Sequence, residues 1–144
     1  MSKPRAHLLD ASVLIPLLDH THIHNRPAEK WFSTPGLPWA MCALTEGAVL
    51  RFFLRPEIGY KMTQVNGMLE CLKQRSGYRY QPISTDWQTL TEPFFSRLHG
   101  HKQVTDAFLL GLAIQENLLL TTFDQGIMHL AGQHREFVRL LESA

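Results

Sequence analysis

The sequence predicts an α/β fold: a three-layer α/β/α sandwich around a mostly parallel central sheet. Short apolar runs alternate along the chain with longer segments of helical periodicity, which is the pattern of repeated βα units. The chain has 144 residues, 44% of them apolar and 19% charged, enough for one substantial core. No internal repeat, low-complexity tract or linker divides it, so a single domain over residues 1–144 is expected.

The elements follow in order. "AHLLD" (6–10) reads as a short buried strand and "ASVLIPLLD" (11–19) as a short helix, kinked or ended around Pro16. "HTHIHN" is a loop whose Asn25 can cap the helix "RPAEKWFST", with Pro27 in its first turn and "TPG" as its stop. "LPWAM" is a candidate strand, and "LTEGAVLRFFLR" has helical periodicity up to Pro56 and Gly59. "KMTQVNGMLECLKQRS" supplies a further helix before Gly77, and "YRYQPI" a strand. "TDWQTLTEPFFSRL" reads as one helix capped by Thr85 or Asp86, "VTDAFLLGLAIQEN" as a long apolar helix and "LLLTT" as a buried strand. "DQGIMHLA" gives a helical turn or two, and "FVRLL" a last edge strand.

Composition narrows the function classes. A formal charge of +1 excludes a strongly basic scaffold, so any nucleic-acid role must rest on a local site. Cys42 and Cys71 fit no zinc or redox spacing, which suits inert thiols in a reducing compartment. The start "MSKPRAHLLDASVLIPLL" has a superficial likeness to a secretory leader, but Asp10 interrupts it and no A-x-A-like site follows. No run has the length of a membrane span, and a soluble, cytoplasmic protein is expected.

Four carboxylates sit where carboxylates are costly. Asp10 ends the first strand and Asp124 follows the strand "LLLTT"; ligands of open α/β sheets collect beyond such strand ends, although each acid also suits a plain helix N-cap. With residues every 100° around the axis, Glu46 lies at the centre of an apolar face with Leu50 and Phe53, while Arg51 and Arg55 lie opposite, so a structural role for it needs a buried partner. Asp106 shares its side with Leu109, Leu110 and Ala113, and its first-turn position also permits a dipole role. Clustered without a counter-charge, these four acids would repel one another and some would keep protons at neutral pH. A divalent cation removes the conflict, and all-oxygen ligands suit Mg²⁺ or Mn²⁺. Such an ion can orient and activate water for in-line attack on phosphorus, which points to phosphodiester hydrolysis. Ser12, Thr45, Thr105 and Thr122 lie beside the acids as candidate supporting hydroxyls.

The set "LLDASVLI", "ALTEGAVLRFFLRP" and "VTDAFLLGLAIQENLLLTTFD" resembles the PIN-domain nucleases, most closely the VapC-type toxins of bacterial type II toxin–antitoxin modules. The resemblance spans Leu8 to about Ile127: an Asp two residues before a Ser, a Thr-Glu on a helix, a Thr-Asp-Ala opening an apolar helix, and a Thr-x-Asp after the next strand. It implies the α/β/α fold, Mg²⁺- or Mn²⁺-dependent endoribonuclease activity on RNA, a homodimer, and a cognate VapB-type antitoxin whose tail enters the active-site groove. Carried over by motif, Asp10, Glu46, Asp106 and Asp124 are the catalytic metal-binding acids, with Ser12 and Thr122 in support. Many members carry Asn where this chain has Ser12, and Ser also suits a hydrogen-bonding role.

Other features read more plainly. His20, His22 and His24 alternate, which on a strand would suggest zinc, but a loop is the better reading; contact with RNA or a partner is the alternative. Arg51, Arg55 and Lys61 suit solvated surface or RNA backbone, and His101 and Lys102 the groove before Asp106. Trp31, Trp39 and Trp87 suit core or interface packing better than base stacking. Three rival functions remain: a PIN-fold nuclease of RNA processing or DNA repair without a toxin role, a receiver-like phosphorylation switch, and a catalytically dead PIN module that only binds partners, which the presence of all four acids disfavours. The switch would require an adjacent acidic pair at the first strand end and a late Lys, which "LLD" and "TTFDQ" do not provide.

Overall fold

The computed structural model describes residues 5–143, so the first four residues of the leader-like start lie outside the described residues. Five short strands, β1 (His7–Leu9), β2 (Trp39–Met41), β3 (Tyr78–Tyr80), β4 (Leu119–Thr122) and β5 (Val138–Leu140), form one sheet in the order β3-β2-β1-β4-β5. Every pairing is parallel. The chain order reverses between β1 and β4, which makes the carboxyl ends of these two strands the topological switch point, where open α/β sheets bind ligands.

Alternation along β1 separates two cores. Leu8 faces a cluster with Ala40, Leu110, Leu120 and Ile127, whereas Leu9 faces one with Val13, Trp39, Met41 and Phe53. Helices α1 (Ala11–Leu18), α2 (Asn25–Phe32), α3 (Ala43–Phe53) and α4 (Met62–Lys73) supply the Leu9 side. Helices α5 (Trp87–Thr91), α6 (Val104–Glu116) and α7 (Gln125–Ala131) supply the Leu8 side, completing three layers.

Helix α1 covers Ala11–Leu18, within the span read from the sequence, and ends shortly after Pro16. Two departures from the sequence reading have local causes. Asn25, rather than capping α2, donates its side-chain amide to the Pro16 carbonyl at 2.7 Å. His24 takes the cap position instead. The helix expected over 85–98 ends at Thr91 and continues as a 3₁₀ segment, Glu92–Arg97, because Pro93 has no N–H to donate to the Thr89 carbonyl as an α-helix would require. Asp86 caps this helix, accepting the Thr89 N–H at 2.9 Å. Trp39 is in the core as expected, but Trp87 is 56% exposed and belongs to no core.

Helices α5 and α6 approach through Gly111: a Cβ built there would lie 2.0 Å from the Leu90 carbonyl oxygen. Gly67, on the exposed face of α4, has nothing within 4 Å of its Cβ position. Gly111→Ala is therefore expected to destabilise the fold by about 2–3 kcal/mol through overpacking, whereas Gly67→Ala stabilises it by about 0.5–1 kcal/mol through helix propensity. Urea unfolding midpoints measure both; equal midpoints for the two variants would contradict the close α5–α6 crossing.

Candidate active site

Register places the first acid. Leu9 pairs with Thr121, and the Asp10 amide donates to the Thr121 carbonyl at 3.0 Å, so Asp10 lies level with Thr122 at the ends of β1 and β4. The side chain is 8% exposed, and one of its oxygens is held from two sides. Ser12 Oγ donates to Oδ2 at 2.8 Å, and Thr122 Oγ1 donates to the same atom at 2.9 Å. Each hydroxyl then accepts a backbone amide: Phe123 N–H on Ser12 Oγ at 3.0 Å, Asp124 N–H on Thr122 Oγ1 at 2.9 Å. With both hydroxyl protons committed to Asp10, the 3.1 Å approach of Ser12 Oγ to Thr122 Oγ1 is a contact of two acceptors. Oδ1 of Asp10 takes neither hydroxyl bond.

Asp124 follows as the N-cap of α7, its Oδ1 accepting the Gly126 N–H at 2.8 Å. Asp106 projects from the first turn of α6. Asp10 and Asp124 thus occupy the cap positions that a plain reading gives them, and they also share a neighbourhood with Asp106. Burial, then the charges of Asp10 and Asp124, raise the Asp106 carboxyl to about 7. Burial pushes Asp10 up as well, against the hydrogen bonds from Ser12 and Thr122. Among the described residues none of these three acids has a Lys, Arg or His within ion-pair distance.

Glu46 lies elsewhere on this rim. It sits in the first turn of α3, after β2, and its Oε2 lies 3.2 Å from Lys73 Nζ on α4. Nothing in the sequence marks Lys73 as that partner, because the contact joins two helices. Among the described residues no three His, Cys, Asp or Glu side chains are drawn close enough to close a metal site. The donor chemistry of the three aspartates nevertheless fits a hard divalent cation: oxygen atoms only, surplus negative charge, and no protein cation to offset it.

The hydroxyls divide. Ser12 and Thr122 orient Asp10, but Thr45 Oγ1 donates to the Cys42 carbonyl at 3.0 Å and accepts the Cys42 N–H at 3.3 Å, so it caps α3 and supports no carboxylate. The histidines lie in a loop. His22 Nδ1 accepts the His24 N–H at 3.1 Å, and the His24 ring stacks on Phe123 at 4.7 Å between centroids, beside Asp124. Arg51, Arg55, Lys61, His101 and Lys102 are all exposed. A groove of about 790 Å³ opens between α1, the start of α2 and α4, lined by Leu17, Leu18, Met68 and Leu72 and including Glu29 and Arg75.

No protein-family model matches the chain. It is 31% identical to Ribonuclease VapC29 of Mycobacterium tuberculosis over 125 residues, covering 87% of this chain and 90% of that protein. Among solved structures, VapC20 of Mycobacterium tuberculosis, described as a sarcin-ricin loop cleaving toxin, superposes with a TM-score of 0.66 at 9% identity, over 86% of this chain and 94% of that one. VapBC2 from Rickettsia felis, bound to a DNA fragment from its promoter, also gives 0.66, at 11% identity over 95% and 99%. The structural likenesses show the fold, and the sequence likeness shows the family: this chain belongs to the VapC ribonucleases.

Proposed function

We propose that the chain is a divalent-metal-dependent endoribonuclease, the toxin of a VapBC module, acting in the cytoplasm as a single nuclease domain. The observation that supports this reading is the placement of Asp10 and Asp124 just beyond β1 and β4 at the switch point, with Asp106 within reach of both charges and raised to about 7 by burial and by them. That is a site with an electrostatic conflict at neutral pH that a cation relieves. Mg²⁺ or Mn²⁺ would be held by Asp10, Asp106 and Asp124, with Glu46 as the fourth acid of the set. The ion, when bound, supplies water activation and charge neutralisation on a scissile phosphate.

The chain's own residues do the rest. Ser12 and Thr122 fix Oδ2 of Asp10 and leave Oδ1 for a ligand. The same hydroxyls hold the amides of Phe123 and Asp124, so Asp124 is carried on a segment already ordered by Asp10. Ordering of this kind lowers the cost of assembling the site when RNA arrives. Three carboxylates without a protein counter-ion also favour a basic side chain from the antitoxin tail at the same site. Homodimerisation belongs to the same reading, and light scattering of the purified chain tests it. A receiver-like switch is disfavoured, since such domains order their strands 2-1-3-4-5, whereas this sheet runs 3-2-1-4-5. A nuclease of RNA processing differs from a toxin by its gene neighbour; co-expression with a flanking antitoxin that abolishes cleavage supports the toxin.

Two predictions test the site. With Mn²⁺ or Mg²⁺ and total cellular RNA, Asp10→Asn and Asp106→Asn lower cleavage by at least about a hundredfold while both variants stay folded; full activity of Asp106→Asn at mapped cut sites would remove Asp106 from the mechanism. The second concerns stability without divalent cation. The native state keeps a proton on Asp106 up to about pH 7, whereas an ordinary Asp releases it near 3.8, so this contribution falls as pH rises through that window. His7 acts in the opposite sense: burial and then Arg139 and Arg5 lower it to about 4 from 6.5, so acid below about 6.5 destabilises through His7. The difference between wild type and Asp106→Asn isolates the aspartate. In EDTA the variant should be the more stable at pH 8, by on the order of 1–2 kcal/mol after allowance for solvent screening, with the gap closing toward pH 4. A pH-independent gap in urea titrations would contradict the charge conflict.

A further inference from the structure

Lys73 is the only cation within ion-pair distance of any of the four candidate acids among the described residues, and it is bound to Glu46. The two side chains are 27% and 20% exposed, so their attraction is less screened than that of a surface pair. Glu70, one turn back on α4, reaches the same ammonium only at 3.9 Å and is 61% exposed, which leaves Glu46 the stronger partner. Lys73 is also the last residue of α4, where the helix macrodipole favours a positive charge. The pair therefore joins α3 to α4, with its cation at the α4 end and Glu46 as the partly neutralised carboxylate. The neighbouring charges that act on Asp106 come from Asp10 and Asp124.

We propose that Lys73 is a tethered counter-ion for Glu46: its ammonium competes with a divalent cation for this carboxylate and thereby sets how tightly the acidic cleft holds the ion. This rests on the reading of Glu46 as the fourth acid of the cation site. A cation that recruits Glu46 must displace the ammonium or accept a carboxylate already partly neutralised, and either condition lowers affinity. Lys73 is thus a positioning residue, acting through Glu46 without touching substrate.

The test is a binding measurement on the full chain without RNA, with Mn²⁺ alone as the probe, read by electron paramagnetic resonance of the free ion or by calorimetry. Lys73→Gln is expected to bind Mn²⁺ about three- to tenfold more tightly. Lys73→Arg, which keeps the charge, should stay near wild type, and Glu46→Gln should bind more weakly. The double variant Lys73→Gln/Glu46→Gln should match Glu46→Gln, because the effect of Lys73 runs through the carboxylate. A gain that persists undiminished in the Glu46→Gln background would mean that Lys73 acts only as a distant charge, and the proposal fails. If Glu46→Gln weakens binding while Lys73→Gln leaves it unchanged, the counter-ion role is wrong and the ligand reading stands. If Glu46→Gln binds Mn²⁺ like wild type, the ligand reading is itself wrong, and the proposal falls with it. Circular dichroism melts identify any variant whose fold is altered; for Lys73→Gln, Lys73→Met provides a second neutral side chain.

Discussion

The clasp on Asp10 is the constraint from which the site follows. A carboxylate 8% exposed at the end of a central strand needs partners, because an unsatisfied buried charge costs several kcal/mol. The chain supplies two hydroxyls to one oxygen, and each hydroxyl accepts a backbone amide of the segment after β4. One buried carboxylate therefore orders the turn that carries Asp124. The parallel register between β1 and β4 makes this geometry available, since it sets Asp10 level with Thr122. A slip of one residue would turn Thr122 to the other face of the sheet and break both arms of the clasp.

The clasp satisfies hydrogen bonding without satisfying charge. Hydroxyls stabilise the ionised form of Asp10, yet burial still raises its carboxyl, and Asp106 rises to about 7 beside it. The cations of the flanking elements are directed elsewhere. Lys73 is bound to Glu46, and Arg97 donates to the carbonyls of Leu130 and Ala131 at 2.9 and 3.3 Å, closing the end of α7. A chain selected for stability alone would place one of these charges among the aspartates. Leaving them uncompensated is the arrangement expected where stability is exchanged for a ligand.

Much of this was legible in sequence because it follows from periodicity and chain punctuation. All five strands and the order of helices could be placed, and Asp10 and Asp124 could be assigned to strand ends, because β1 and β4 are short apolar runs with an acid just beyond. What escaped depends on contacts between elements. The partner of Glu46 lies on the next helix, and no pattern within α3 or α4 announces it. Thr45 sits beside Glu46 as an orienting hydroxyl would, but the local geometry of a helix start claims it as a cap. Pro93 is a legible break in the helical periodicity over 85–98, because it removes a helical N–H in mid-run. Pro16 marks the end of its eight-residue helix, which stops at Leu18 as the sequence reading has it.

The loop between α1 and α2 lies between the groove and the acidic site. His20 and Asn25 line the groove between α1, α2 and α4, while His24, between them in sequence, stacks its ring on Phe123 at an interplanar angle of 10°. Phe123 is itself pinned through its amide to Ser12 Oγ, which is one arm of the Asp10 clasp. A rigid chain of contacts thus runs from the groove wall to the acidic cleft through one imidazole and one phenyl ring. Displacing this loop would expose the stacked faces to water and strain the amide that holds Phe123, and packed aromatic contacts resist small gradual shifts of that kind. The groove and the acidic site are therefore bordered by one short loop, with His20 and Asn25 on the groove and His24 packed beside Asp124.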